Sequence, residues 1–262
     1  MKWMMITAMI DNESLLPLLM YNKPFKYNTD IVLYPVIMND FMLFQTVSKS
    51  ITLRKNSVFR EKKIIKMSYL DLLFYSFDNE ELETTYKISG LSQYLIYFIQ
   101  LIKICCKNSQ INISDSMDQL YIGSTLVTPA IFDDLRRIII IQNGIDFDIN
   151  EFLNSDTEQR LLKAEKDQNK SDDNANIEDY IDSLVIAMNI TEERIMNMTI
   201  RKFWRYLKRH QLHEGYIIAK TGECSGMVSF KEPIKYWMVS LDEEDKYKHL
   251  KTDEETLKGK IG

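Results

Sequence analysis

The sequence predicts an α+β fold, predominantly helical with short antiparallel strands or hairpins. Apolar residues recur at three- and four-residue steps over several stretches long enough to be helices. Brief β-rich runs bounded by turn residues stand between them, and no repeat at a period of roughly 20 to 50 residues suggests a solenoid or propeller. With 262 residues, 45% of them hydrophobic and 27% charged, the chain can bury a real core as one large domain or two small ones.

Residues 1–30 are rich in Met, Leu and Asn and are interrupted by Pro17 and Pro24, so they read as an irregular N-terminal segment. The apolar run Trp3 to Ile10 ends at Asp11 without a small-residue cleavage pattern, which favours a buried strand or helix over a signal peptide. Residues 31–152 form an α+β body. In the run from Asp30 to Val36, Pro35 places the strand at a sheet edge or at its own end. Asn39 or Asp40 then caps a helix through Val47.

Further along the body, Ile64, Met67, Tyr69, Leu70, Leu72, Leu73 and Phe74 load one broad side of a helix that begins near Ser68. Leu91, Tyr94, Leu95, Phe98, Leu101, Ile102 and Cys105 mark another; Ser92, Gln93, Gln100 and Lys103 break it as a membrane span. Gln110 to Ile113 and Gln119 to Ile122 pair as a hairpin around Asp115 to Asp118. Thr128 to Gly144 is the best-punctuated helix: Thr128 at the N-cap, Pro129 at the first position, Asp133 and Asp134 near the positive end, Gly144 past the C-terminus. Its Ile138 to Ile141 run is apolar all round, which places it centrally.

Residues 153–178 read as a flexible polar linker, because Asn154 to Asn176 contains no aromatic residue and cannot bury enough apolar surface to offset chain ordering. Residues 179–239 come next as a C-terminal helical plus hairpin module. It comprises a helix near Ile177 to Met188, a second capped at Thr191, with Arg194 where a capping-box Glu would sit, and a third opening at Thr199. Gly222 and Gly226 suit a tight turn joining strands at Ile217 to Ala219 and Met227 to Phe230. Residues 240–262 form a charged tail.

Charge and cysteine narrow the function classes. A net charge of −5 with interspersed signs implies no whole-molecule attraction to nucleic acid or anionic lipid. Three cysteines, two of them adjacent inside a helical pattern, make no disulfide framework and suit a reducing compartment. No Gly-x-Ser-x-Gly elbow or phosphate-cradling glycine loop occurs, so no catalytic residue is assigned and the chain is expected not to be an enzyme. Cys224 as a nucleophile would need His213 as its base, and a turn residue is the simpler reading.

Two metal patterns are weighed and set aside, leaving no expected cofactor. His210, His213, Glu214 and Cys224 resemble zinc ligands but lack the natural cysteine pair. Asp167, Asn169, Ser171, Asp173 and Glu178 match calcium-loop positions, yet Asp172 stands where the sharp turn needs glycine.

The most specific stretch begins at Thr199. Ile200, Phe203, Trp204 and Leu207 share one helix face, and Arg201, Lys202, Arg205, Lys208 and Arg209 crowd the opposite arc. Such a helix can be a packed stripe with a solvated rim balanced by the acidic Asp242 to Asp245, a protein-docking surface, or a phosphate-binding one. The segments beginning Arg201-Lys-Phe-Trp-Arg-Tyr-Leu, Ala219-Lys-Thr-Gly-Glu-Cys-Ser-Gly-Met-Val-Ser-Phe and Pro233-Ile-Lys-Tyr-Trp-Met resemble the C-terminal region of phage tail assembly chaperones of Gram-positive-infecting tailed phages and prophages. Leu33-Tyr-Pro-Val, Met67-Ser-Tyr-Leu, Phe132-Asp-Asp-Leu-Arg-Arg and Gln142-Asn-Gly-Ile-Asp are similar to the same group.

That resemblance implies a non-enzymatic protein of the host cell cytoplasm that coats the tape-measure protein, helps recruit tail-tube subunits and leaves before the virion is complete. It also leaves self-association open and implies no membrane partner. Arg201, Phe203, Trp204, Arg205, Leu207, Lys208 and Arg209 are the expected partner-binding residues. Alternatives are a phage nucleic-acid-associated factor using the basic helix, which the acidic net charge disfavours, and a virion structural subunit.

Overall fold

The computed structural model describes residues 12–107, 109–115, 118–147, 176–226 and 228–241. The polar linker up to residue 175 and the charged tail beyond Leu241 lie outside the described residues, as do the apolar run before Asn12 and the calcium-like positions before Glu178. The described chain is mostly helical, with one two-stranded and one three-stranded antiparallel sheet, as the sequence predicts. It divides into two compact units, Met1–Phe203 and Trp204–Gly262.

The N-terminal segment departs from the irregular reading: α1 spans Asn12–Met20 with Pro17 inside it. Proline removes one helical hydrogen bond, but Leu15 and Leu19, one turn apart, are both buried, and their burial offsets that loss. A short pair comes next, β1 (Phe25–Lys26) and β2 (Val32–Leu33), in antiparallel register with Phe25 opposite Leu33. Pro35 falls beyond the end of β2.

Helices form where the apolar spacing sets them. A 3-10 turn at Met38–Asp40 leads into α2 (Phe41–Val47), with Asp40 at the N-cap. Two short helices, α3 (Lys55–Val58) and α4 (Lys62–Lys66), precede α5 (Tyr69–Asp78), whose N-cap Ser68 accepts a hydrogen bond from the Asp71 amide at 3.0 Å. Ile64 therefore belongs to α4 and is buried there. After α6 (Glu81–Tyr86), left-handed Gly90 turns the chain into a 3-10 turn and α7 (Tyr94–Cys105). Glu83 caps that entry, accepting from the Gly90 and Ser92 amides and the Ser92 hydroxyl, and the Ser92 contacts hold its carboxyl below the usual range.

The expected hairpin forms between β3 (Ile111–Ile113) and β4 (Leu120–Ile122), and a third strand the sequence does not signal, β5 (Thr125–Leu126), pairs with β4. Then α8 (Pro129–Asn143) runs from a Thr128 cap to left-handed Gly144. Its Phe132 ring packs 4.5 Å from Phe98 of α7, and Leu135, Ile138, Ile139 and Ile140 are buried.

Three polar side chains on α8 are buried as well, and each meets irregular backbone elsewhere. Arg136 Nε donates to the Ile51 carbonyl at 2.5 Å and Nη2 to Leu53 at 3.2 Å, while its guanidinium lies 3.7 Å from the centre of the Tyr69 ring. Burial pulls its pKa down to about 10, so it stays charged at neutral pH. Gln142 donates to the Leu33 carbonyl at 3.1 Å, and Asn143 Oδ1 accepts from the Val36 amide at 2.8 Å. The same extended run takes the Cys105 carbonyl at the Tyr34 amide, while the Met38 amide donates to Met198 and the Val36 carbonyl accepts from Ile200.

That last pair of bonds fixes where the units divide. The helices α9 (Ile177–Met188), capped by an Asn176–Asp179 box, and α10 (Glu192–Met196) belong with the body, not with the C-terminal module the sequence assigns them to. Thr191 occupies the N-cap of α10 as expected, but its side chain makes no cap bond. The boundary falls after Phe203.

The structure yields two predictions on stability. Asn143→Leu leaves the buried Val36 amide unsatisfied and should cost about 1 to 3 kcal/mol, read as a lower urea midpoint with unchanged slope. Asp30 accepts from the Ser124 amide (3.1 Å) and from the Ser124 and Thr125 hydroxyls (2.6 and 3.0 Å), which hold its carboxyl below the usual range. Its contribution is present above the unfolded value near ~3.9 and is lost as pH falls through the lower folded value. Asp30→Asn should therefore lower the urea midpoint at neutral pH, and the difference from the parent chain should vanish as pH falls through the lowered folded value.

Candidate protein-interaction surface

The longest helix, α11 (Ile200–Cys224), begins on the body and runs on into the second unit. Thr199 starts it: its hydroxyl accepts from the Lys202 amide at 3.4 Å, and its backbone bridges to Ile37. Beside this start, a Cβ on Gly144 would sit 3.2 Å from Arg201 Cγ, so glycine there makes room for the arginine stem as well as for its own φ of +65°.

The structure disperses the expected partner-binding set. Phe203 is fully buried and Leu207 is 5% exposed, so both of these expected partner-binding side chains are interior. Trp204 is half-buried, as are Arg201, Arg205 and Arg209, and Lys208 is exposed. An apolar stripe at helical spacing looks the same whether it covers the chain's own body or a partner.

A second correction concerns the hairpin. Ile217 to Ala219 is not a strand, because α11 continues through Gly215 and Gly222 to Cys224. Ile218 lies three turns after Leu207, on the same stripe, so helical periodicity is present in the sequence and the β-branched pair beside two glycines obscures it. The helix stops as the Ser225 amide bonds Thr221 and the Gly226 amide bonds Glu223, with Gly226 in the left-handed conformation at φ +70°.

From that turn, residues 228–241 fold back along the helix as an irregular strap. A Cβ on Gly222 would meet Val228 at 3.8 Å. Tyr236 packs edge-on to Tyr216 at 5.4 Å, and Trp237 edge-on to His213 at 4.9 Å. Arg209 donates to the Trp237 carbonyl at 2.6 Å. One helix and one strap cover only one side of each other, and the unit exposes Ile217 (46%), Ile218 (70%), Val228 (48%), Phe230 (43%) and Met238 (59%). These exposed residues are the functional candidates that a strand reading of 217–230 misses.

The polar groups along the helix form local pairs. Glu214 Oε1 lies 3.5 Å from His213 Nδ1 and 4.0 Å from His210 Nδ1, and Lys220 pairs with Glu223 at 2.7 Å. Cys224 is three turns beyond His213, about 16 Å along the axis, and cannot share an ion with it. Cys105 and Cys106 are buried, and burial pushes the Cys106 thiol up to about 12, so both serve as core residues. Among the described residues, no helix is long and apolar enough to cross a membrane.

Residues 166–242 match the model of a family described as the YomV second domain, a phage-derived family of the Bacillus prophage type. The match takes in α9, α10, α11 and the strap. The chain matches no curated protein and no solved structure.

The burial pattern separates the two ends of α11 by experiment. Phe203→Ala should cost about 3 to 5 kcal/mol in urea unfolding, whereas Lys208→Ala should stay within about 0.5 kcal/mol of the parent chain.

Proposed function

We propose that this chain is a non-enzymatic tail assembly chaperone that binds the tape-measure protein and helps recruit tail-tube subunits in the host cytoplasm. The observation that carries the reading is the second unit, whose helix and strap leave Ile217, Ile218, Val228, Phe230 and Met238 exposed. Five large apolar side chains left exposed on so thin a layer are costly in water unless another chain covers them. The resemblance to tail assembly chaperones across residues 31–239 supports the reading, as does the phage-type family match over residues 166–242.

On this reading the body anchors α11 and the distal unit does the docking. An amphipathic helix of a long tape-measure protein offers apolar side chains at the spacing such a surface can take, with mixed charge at the rim setting register. Phe203 holds the start of the helix in the body; Ile218 and Phe230 meet the partner.

Co-expression with the tape-measure protein tests the assignment. Ile218→Glu combined with Phe230→Glu should abolish co-purification while the circular dichroism and urea midpoint stay at parent values, since both residues are exposed. Retained binding by that folded double variant would refute the proposed surface.

A further inference from the structure

The distal half of α11 is a helix that its own sequence disfavours. From Gly215 to Cys224, five of the ten residues are glycine or β-branched: Gly215, Ile217, Ile218, Thr221 and Gly222. Burial does not make up the deficit, since among the described residues none after Leu207 is buried. Gly215 is the weakest point. It lies inside the helix without a positive φ, and a Cβ there would meet no atom within 4 Å, so neither backbone conformation nor crowding calls for glycine at this position.

A row of rings spans that point. Trp237 lies edge-on to His213 before the glycine at 4.9 Å, and Tyr236 lies edge-on to Tyr216 after it at 5.4 Å. The two strap rings are themselves 5.9 Å apart, so His213, Trp237, Tyr236 and Tyr216 follow one another across Gly215. Arg209 fixes the near end of the row by donating to the Trp237 carbonyl at 2.6 Å. Edge-on ring pairs stabilise beyond the area they bury, and the loss of one shifts a local equilibrium by about two- to tenfold.

We propose that Gly215 is a joint at which the distal turns of α11 open and close as one unit, and that the aromatic row is the splint that holds them closed. Ile217 and Ile218 share an exposed helical face only in the closed state, and opening dissolves that face. The joint therefore gates the apolar surface. A partner that takes the helical face holds the joint shut, and its apparent affinity falls by the fraction of chains that stand open. That consequence for binding rests on the docking role proposed above, whereas the joint itself is a property of the chain alone.

Hydrogen exchange of the full-length chain without partner, resolved to single amides by NMR, reads the joint directly. Amides 217–224 should share one opening constant, well above that of 203–207, with the step at Gly215. Tyr236→Ala removes the splint from an exposed position and should raise that shared constant about two- to tenfold. Adding Gly215→Ala to the same chain should lower it again by about two- to fivefold, because alanine fits the open space and favours the helix. Amides 203–207 should keep their parent rates in both variants. Opening that climbs residue by residue toward Cys224, protection of 217–224 equal to that of 203–207, or a constant that neither substitution moves would each overturn the proposal.

Discussion

The fold depends on how the backbone of Leu33 to Met38 is satisfied. Pro35 denies this run a regular ladder, so its polar groups bond to side chains and chain ends: Gln142 at the Leu33 carbonyl, Asn143 at the Val36 amide, and the Cys105 carbonyl at the Tyr34 amide. Met198 and Ile200 complete it from the far side of the sequence. A buried backbone group left without such a partner costs as much as several of the weaker contacts in the core together. The run is thus the seam at which the two helices around it, α7 and α8, meet the residues that launch α11.

Arg136 performs the same service one side over. It satisfies the Ile51 and Leu53 carbonyls at the end of a 3-10 turn, and its guanidinium packs on Tyr69, so a charge sits inside the core with Nε and Nη2 bonded and one face covered. Around these polar anchors the apolar packing is ordinary, with Phe98 against Phe132 and isoleucines on three sides of α8. The result is a rigid start for the long helix: Thr199 is bridged to Ile37, Phe203 is sealed in the body, and the distal turns of α11 are free to present a different surface.

Much of the body is legible from the sequence because local signals and global packing agree there. Ser68, Thr128 and Gly144 punctuate their helices where spacing and capping chemistry place them, and the 111–122 hairpin forms from the two runs expected to pair. Disagreement appears where two patterns overlap. Pro17 argues against a helix that Leu15 and Leu19 stabilise by burial, and Ile217-Ile218-Ala219 between glycines imitates a strand though it continues a helical stripe. Which turns of α11 are exposed is hidden in the sequence for a different reason. Spacing identifies an apolar face but not what covers it, and only the burial of Phe203 and Leu207 against the exposure of Ile218 distinguishes the anchor from the surface on offer.

If the chain acts by presenting the distal half of α11 and its strap to another polypeptide, binding should alter that unit and leave the body unchanged. Hydrogen exchange of the full-length protein, with and without the co-expressed tape-measure protein, reads both at once. Exchange should slow on binding at the amides of residues 212–241 and stay unchanged in α7 and α8. Slowing confined to the body, with the distal helix and strap unaffected, would contradict this mode of action.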